Sequence, residues 1–212
     1  MLRGHDTFLT VVLFNATMAG KDFVPEIEGY IGRLQAVLDS LDRKQIDDVA
    51  NTLLKAFENG STVFIFGNGG SAATASHFVC DFNKGVTGEM DDKFRFVCLN
   101  DNVPTVTAIA NDCGYEYVFV KQLEGKLRKG DVVFAISGSG NSRNVVLAAE
   151  YARSCGNEVI SLTGYDGGRL LKLSDHPIHV NVNDMQLAED THMILDHMVS
   201  SILARHFGHP MC

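Results

Sequence analysis

The sequence of 212 residues has no long hydrophobic run. Its longest apolar stretches, such as Val132–Ile136, reach about five to seven residues, against the roughly 20 that cross a bilayer, so no transmembrane helix is expected. A secretory leader is also missing from the expectation. Phe8–Phe14 is apolar, but it is short, polar residues follow it, and no small-residue cleavage site is well placed. The expected location is therefore the cytoplasm. Paired cysteines are absent too: Cys80, Cys98, Cys113, Cys155 and Cys212 are odd in number and far apart, with no C-x-x-C, which argues against a disulfide framework or a zinc knuckle. Basic residues are few. Eighteen Lys and Arg face 26 Asp and Glu, for a net charge of -8, and a nucleic-acid surface needs clustered cations to release counterions. The expected partner is a small molecule, with no nucleic acid and no membrane. Repeats and low-complexity tracts do not occur. What is present, 45% hydrophobic and 21% charged residues, is the composition of a soluble globular chain of one domain.

Apolar runs rich in β-branched residues recur at Thr62–Phe66, Phe94–Leu99, Val132–Ile136, Glu158–Leu162 and Pro177–Asn181, separated by stretches of helical length and pattern. This predicts an α/β fold: a five-stranded parallel sheet with helices on both faces. The intervening helices are expected near Ser71–Phe82, Val103–Asn111 with Glu116–Leu127, Ser142–Ser154, and a short turn at Arg169–Leu173. Ahead of the first strand, Pro25–Ser40 and Arg43–Asn59 carry apolar residues at i, i+3, i+4 spacing, which predicts a helical hairpin over 25–59. The last long helix is expected at Gln186–His206. Residues 1–24 show no clear period and are expected to form an arm or an oligomer contact.

The segments that follow the strands are rich in small polar residues: Gly67-Asn68-Gly69-Gly70-Ser71, then Asn100-Asp101-Asn102, then Ser137-Gly138-Ser139-Gly140-Asn141-Ser142, then Thr163-Gly164-Tyr165-Asp166-Gly167-Gly168. Ligands of open α/β sheets bind outside the carboxyl ends of the strands, so these loops are expected to converge on a site. Ser137–Ser142 offers three hydroxyls and two glycines directly before a helix, where free N–H groups and the helix dipole favour an anion. A bare Ser142 N-cap needs fewer small residues than these six, so phosphate binding is the expectation. No Gly-Lys-Ser/Thr follows either glycine loop, which dismisses a Walker A site. Gly67-x-Gly69-x-x-Ala72 matches the loose dinucleotide fingerprint, but the acidic residue due about 20 positions later is missing: Asp91 and Asp92 precede the second strand and Asp101 comes too late.

Taken together in register, and with Ala110-Asn111-Asp112, these motifs resemble the sugar isomerase (SIS) domain family and, within it, the phosphoheptose isomerases, over about residues 25–207. The resemblance implies a flavodoxin-like SIS domain spanning 1–212, with an α/β core at 60–207. It also implies a homotetramer of carbohydrate metabolism that converts sedoheptulose 7-phosphate to glycero-manno-heptose 7-phosphate, often with zinc. By position it implies substrate contacts at Asn68, Gly69, Gly70, Ser71, Asp101, Asn102, Ser137, Gly138, Ser139 and Ser142. Gly138 departs from the threonine of enterobacterial members, so one hydroxyl is lost.

Aldose–ketose isomerisation passes through an enediol and needs a base at carbon and a proton donor at the carbonyl oxygen. His77 and Asp81 stand at i and i+4 of one expected helix, on one face and close enough to share a metal ion. Without the resemblance, a solvent-facing Asp81 and a semi-buried structural His77 explain the same residues as well. Glu189 and His197 are the candidates of the last helix, and a titratable His197 in a largely apolar stretch needs a partner if buried. The other histidines, His176, His179, His192, His206 and His209, are expected to be structural or exposed. The resemblance maps His77, Asp81, Glu189 and His197 onto metal and catalytic positions, with Asp81 and His197 as the acid/base pair and Glu189 as a further substrate contact. It has glutamate at the place of Asp81 and glutamine at that of Glu189. Eight residues separate Glu189 from His197, about 12 Å along a helix, so either Glu189 precedes the helix or the metal set is completed across subunits. The same family includes a non-catalytic phosphosugar-binding regulator that associates with a replication initiator. Titratable or metal-binding side chains at all four positions favour the enzyme.

Overall fold

The computed structural model describes residues 21–209; residues 1–20 of the expected arm, and Cys212, lie outside the described residues. The chain opens with a helical hairpin, α1 (Val24–Ser40) and α2 (Arg43–Glu58). Asp42 starts α2 by accepting the Lys44 N–H at 2.8 Å, the usual way to satisfy a free amide of a first turn. Then follow β1 (Thr62–Phe66), α3 (Gly70–Cys80), β2 (Arg95–Cys98), α4 (Val103–Asp112), α5 (Val120–Leu123), β3 (Val132–Ser137), α6 (Arg143–Ser154), β4 (Glu158–Thr163), α7 (Gly168–Leu173), β5 (His176–His179) and α8 (Met185–His206). All four strand pairings are parallel, in the order β2-β1-β3-β4-β5.

Alternate strand residues feed two cores, as the period of a strand requires. Val132, Phe134 and Ile136 of β3 pack with Leu53 of α2, Phe78 of α3 and Leu195 of α8. Val133 and Ala135 face Leu123, Ala148 of α6 and Leu170 of α7. β3 is buried along its whole length, which is why its sequence is continuously apolar rather than alternating.

Two expected helices depart from regular α geometry. The helix expected over Ser71–Phe82 continues beyond Cys80 as a π-helical segment, Asp81–Val86. The helix expected over Glu116–Leu127 is a 3-10 turn, Tyr115–Tyr117, and the four-residue α5. Packing overrides propensity there: Val118, Phe119, Val120 and Leu123 are all buried, and the Phe119 ring stacks on Phe66 with centroids 4.7 Å apart. The Gln122 amide donates to the Leu99 and Val118 carbonyls at 2.9 and 2.8 Å. Gly125, at φ +73°, ends the segment in a conformation that a right-handed helix cannot extend.

The hairpin is anchored unevenly. Val37 and Leu38 at the end of α1 meet the core, while Val24, Ile27 and Ile31 at its start lie exposed. Among the described residues, its one polar tie to α8 is the Tyr30 hydroxyl, which donates to Asp190 at 2.6 Å.

His192 of α8 is fully buried, and neither ring nitrogen has a hydrogen-bond partner. Burial pushes its pKa down to about 4, with the Thr163 main chain pulling the other way. The unfolded chain takes up this proton below its ordinary value near 6.5, so the folded state keeps its full stability above that pH and loses it as pH falls toward 4. Between pH 7 and 5 the loss from this group is expected to be on the order of 2 kcal/mol. Urea denaturation at both pH values should show a smaller loss for His192→Gln than for the wild type; equal losses would assign the acid sensitivity to other groups.

Candidate active site

With all strands parallel, the loops after β1, β3 and β4 open on one edge of the sheet, and hydrogen bonds tie them together. The Gly164 N–H donates to the Gly138 carbonyl at 2.8 Å, and the Leu170 N–H to the Gly140 carbonyl at 2.9 Å. The Arg169 N–H donates to Asn141 Oδ1 at 3.1 Å. Gly140 has φ +63°, and a Cβ on it would run into the Gly167 carbonyl, so this residue is what lets the two loops approach. Asn100 clamps the loop after β1, accepting from Gly67 N–H at 3.2 Å and donating to its carbonyl at 2.9 Å. Asn68 and Asn144 exchange amide hydrogen bonds, both 2.9 Å, and the Tyr115 hydroxyl donates to Asn68 Oδ1 at 2.8 Å.

These ties shape a cleft of about 140 Å³ lined by Asn68, Ser71, Ser137, Gly138, Ser139, Ser142, Met185 and Glu189. Ser142 is the N-cap of α6 but makes no capping bond. Its hydroxyl instead lies 3.3 Å from that of Ser137. The cleft thus presents hydroxyls and unpaired amides at a helix start, the donor set of an anion site, and no Lys or Arg lines it. At Gly138 the place of a side chain is taken by Met185, whose sulfur would stand 2.6 Å from an added Cβ. A more open hollow of about 530 Å³, lined by Asn141, Tyr165, Asp166, Asn181 and Asn183, adjoins the cleft at Ser139.

α3 and α8 run side by side in the same direction. At their starts, the Glu189 carboxylate rests where a Cβ of Gly70 would be. Seven and eight residues on, or about 10–12 Å, His77 Nε2 stands 3.0 Å from His197 Nε2, and 3.6 Å from Asp81 Oδ2. Asp196 completes this group: one donor atom from each of His77, Asp81, Asp196 and His197 lies within 4.8 Å of all the others. Asp196 is fully buried and both its carboxylate oxygens lack a hydrogen-bond partner. Burial first, and the charge of Asp81 second, push its pKa up to about 8.

The residues singled out in the sequence therefore fall into three places. Asn68, Ser71, Ser137, Gly138, Ser139, Ser142 and Glu189 share the cleft, with Gly69 and Gly70 in its glycine loop. His77, Asp81 and His197 come together in the second group, without Glu189. Glu189 belongs to α8 proper, so it does not precede the helix. Asp101 and Asn102 are exposed and outside the cleft lining: Asp101 accepts from the Ser76 hydroxyl, and Asn102 caps α4, accepting from Thr105 N–H at 3.1 Å. Asn144, Tyr115 and Asp196 went unnoticed in the sequence. Asp196 had a signal: it falls on the buried stripe Ala188, His192, Val199, Leu203 of α8, where a carboxylate is out of place.

The donor set suits a divalent metal. Two imidazole nitrogens at 3.0 Å repel through their lone pairs unless one carries a proton between them or both face a cation. Ligands about 2.0–2.1 Å from a tetrahedral zinc stand about 3.3 Å apart. The orphaned Asp196 oxygens are buried donors that such an ion would satisfy.

Residues 29–164 match the SIS domain family. The chain is 38% identical over 170 residues to a phosphoheptose isomerase of Helicobacter hepaticus, covering 77% of this chain and 83% of the relative. It is 31% identical over 182 residues to a probable phosphoheptose isomerase of Thermoplasma volcanium, covering 86% and 92%. Among solved structures, the phosphoheptose isomerase of Neisseria gonorrhoeae superposes with a TM-score of 0.77 at 28% identity, over 86% of this chain and 98% of that one.

The Asn68–Asn144 pair couples the loop after β1 to the first turn of α6. Asn144→Ala leaves Asn68 without it and is expected to lower stability by about 1–3 kcal/mol, read by chemical denaturation. An unchanged midpoint would mean that the loops hold their positions without the amide pair.

Proposed function

We propose that this chain, which belongs to the SIS domain family and within it to the phosphoheptose isomerases, converts sedoheptulose 7-phosphate to glycero-manno-heptose 7-phosphate. The observation that carries the reading is the alignment of two sites along α3 and α8. An anion cleft stands at the helix starts, and a His/Asp group about 10–12 Å further on. That separation suits an extended sugar phosphate held by its phosphate at one end and reacting at the other.

The phosphate is held by the hydroxyls of Ser137, Ser139 and Ser142 and by the free amides at the start of α6, where the helix dipole favours negative charge. Asn68, Gly69, Gly70 and Ser71 border the adjoining stretch of sugar, with Asp101 and Asn102 behind them. At the far end Asp81 removes a proton from the carbon next to the carbonyl. His197 passes a proton between the two oxygens, and the proton returned to the neighbouring carbon completes the aldose. Glu189, on the cleft wall, is the reserve base. A divalent ion, zinc first, is held by the imidazoles of His77 and His197 with carboxylate from the same group. When bound it supplies Lewis acidity toward a carbonyl oxygen.

The protein works as a homo-oligomer, four copies by analogy with its family, and the exposed Val24, Ile27 and Ile31 of α1 support this as a face that a partner copy covers. Cys80, Cys98, Cys113 and Cys155 are unpaired thiols, which fits the reducing cytoplasm.

Ser139→Ala combined with Ser142→Ala is expected to raise KM for the phosphosugar about tenfold or more, the loss of two hydrogen bonds to a charged group; an unchanged KM would move the phosphate elsewhere. Asp81→Asn is expected to abolish both isomerisation, followed by NMR, and exchange of the carbon-bound proton with deuterated solvent, while Glu189→Gln stays active. The reverse pattern would make Glu189 the base. Light scattering is expected to give a mass near four chains, and a monomer at micromolar concentration would contradict the assembly.

A further inference from the structure

Asp196 has a use that neither the phosphate cleft nor the proton transfer absorbs. Its neighbours on the buried stripe of α8 are apolar or hydroxylic except for His192 one turn before it, whose ring nitrogens make no hydrogen bond either; Asp196 has no exposed surface, and no hydrogen bond reaches either of its oxygens. A carboxylate removed from water in this way must be paired, be neutralised by a proton, or coordinate a metal. No Lys or Arg forms an ion pair with it among the described residues, where the ion pairs of His77 and Asp81 are with each other. The donor atoms closest at hand are two imidazoles and the second carboxylate, all within 4.8 Å. Asp81 is in a different position: its side chain is 16% exposed, so water or a substrate can reach it.

We propose that Asp196, together with His77 and His197, forms a three-ligand site for a divalent metal within one subunit, while Asp81 stays uncoordinated and free to move the substrate proton. The proposal rests on the metal reading above and assigns the two carboxylates of the group to separate tasks. Two nitrogens and one carboxylate oxygen leave an open position on a tetrahedral ion, which a catalytic site needs and a four-ligand set would close. The arrangement also removes the geometric difficulty of Glu189. A ligand eight residues from His197 is not required, nor is one from a partner copy, because the residue adjacent to His197 supplies the carboxylate. Glu189 is then left on the wall of the cleft, against the start of α3, where negative charge is favoured.

The test uses the full chain stripped with chelator and titrated with zinc by calorimetry and with cobalt(II) by visible absorption. Asp196→Asn is expected to weaken zinc more than the about 10–100-fold that loss of a supporting hydrogen bond behind a ligand costs. His197→Asn is expected to do the same, and Asp81→Asn to leave affinity within about threefold while proton exchange is lost. Added zinc is expected to raise the melting temperature of the metal-free wild type and to leave that of metal-free Asp196→Asn nearly unchanged. If Asp196→Asn fails to fold, Asp196→Cys supplies an independent reading. A thiol facing the ion gives a cobalt–thiolate charge-transfer band in the near ultraviolet that the wild type lacks. Wild-type affinity in Asp196→Asn with loss in His197→Asn would overturn the role of Asp196 and leave the metal reading standing. Equal loss in Asp81→Asn would overturn the division of tasks. No binding of zinc or cobalt by the wild type would overturn both. No band in a folded Asp196→Cys that still binds cobalt would also reject the proposal.

Discussion

The parallel direction of all five strands is the constraint on which the rest depends. Each strand hands the chain to a loop at the same edge, so polar groups that leave the ladder there have one another, or a ligand, as partners. The bonds between the Gly138 and Gly164 segments and between Gly140 and Leu170 meet part of that demand. The first turn of α6, left without a capping bond by Ser142, does not. A site made in this way is rigid where the loops are stitched and receptive only where a helix begins.

The second constraint is the registry of α3 against α8. Both are fixed to the same core by Phe78 and Leu195, so the faces they turn toward each other are held as well. Glu189 is set against Gly70 and His197 against His77. Phe78 stacks at 5.8 Å on Phe82 and meets Phe134 edge-on at 5.0 Å, so a change in these rings acts on the residues one step around the helix, His77 and Asp81. The π-helical turn that starts at Asp81 belongs to the same arrangement, since such turns re-aim side chains at functional sites.

The sheet was legible because buried parallel strands need continuous β-branched runs, and the loops because small polar residues collect where those runs stop. Glu116–Leu127 was misread as one helix, because the burial of Val118 and Phe119 against Phe66 is a tertiary fact that no local period contains. The group around His77 was half legible. Spacing brings His77 and Asp81 together within one helix, but Asp196 joins them only through the packing of α8 on α3. Its neighbour His197 drew the attention in an apolar stretch where both were anomalous. Asp101 and Asn102 matched by position, yet in the fold they bond to Ser76 and the start of α4, and only coordinates reveal that preference.

The cleft offers an anion hydroxyl and amide donors and is lined by no Lys or Arg, and the chain around it carries a net charge of -8. Short-range attraction at the helix start is thus set inside a long-range field of the opposite sense, which repels a phosphorylated sugar before contact. Screening acts on the field, over a Debye length of about 8 Å at physiological ionic strength, and much less on the buried contacts. Added salt should therefore speed the encounter of substrate with this protein, where an enzyme that gathers its phosphates with lysine and arginine would be slowed.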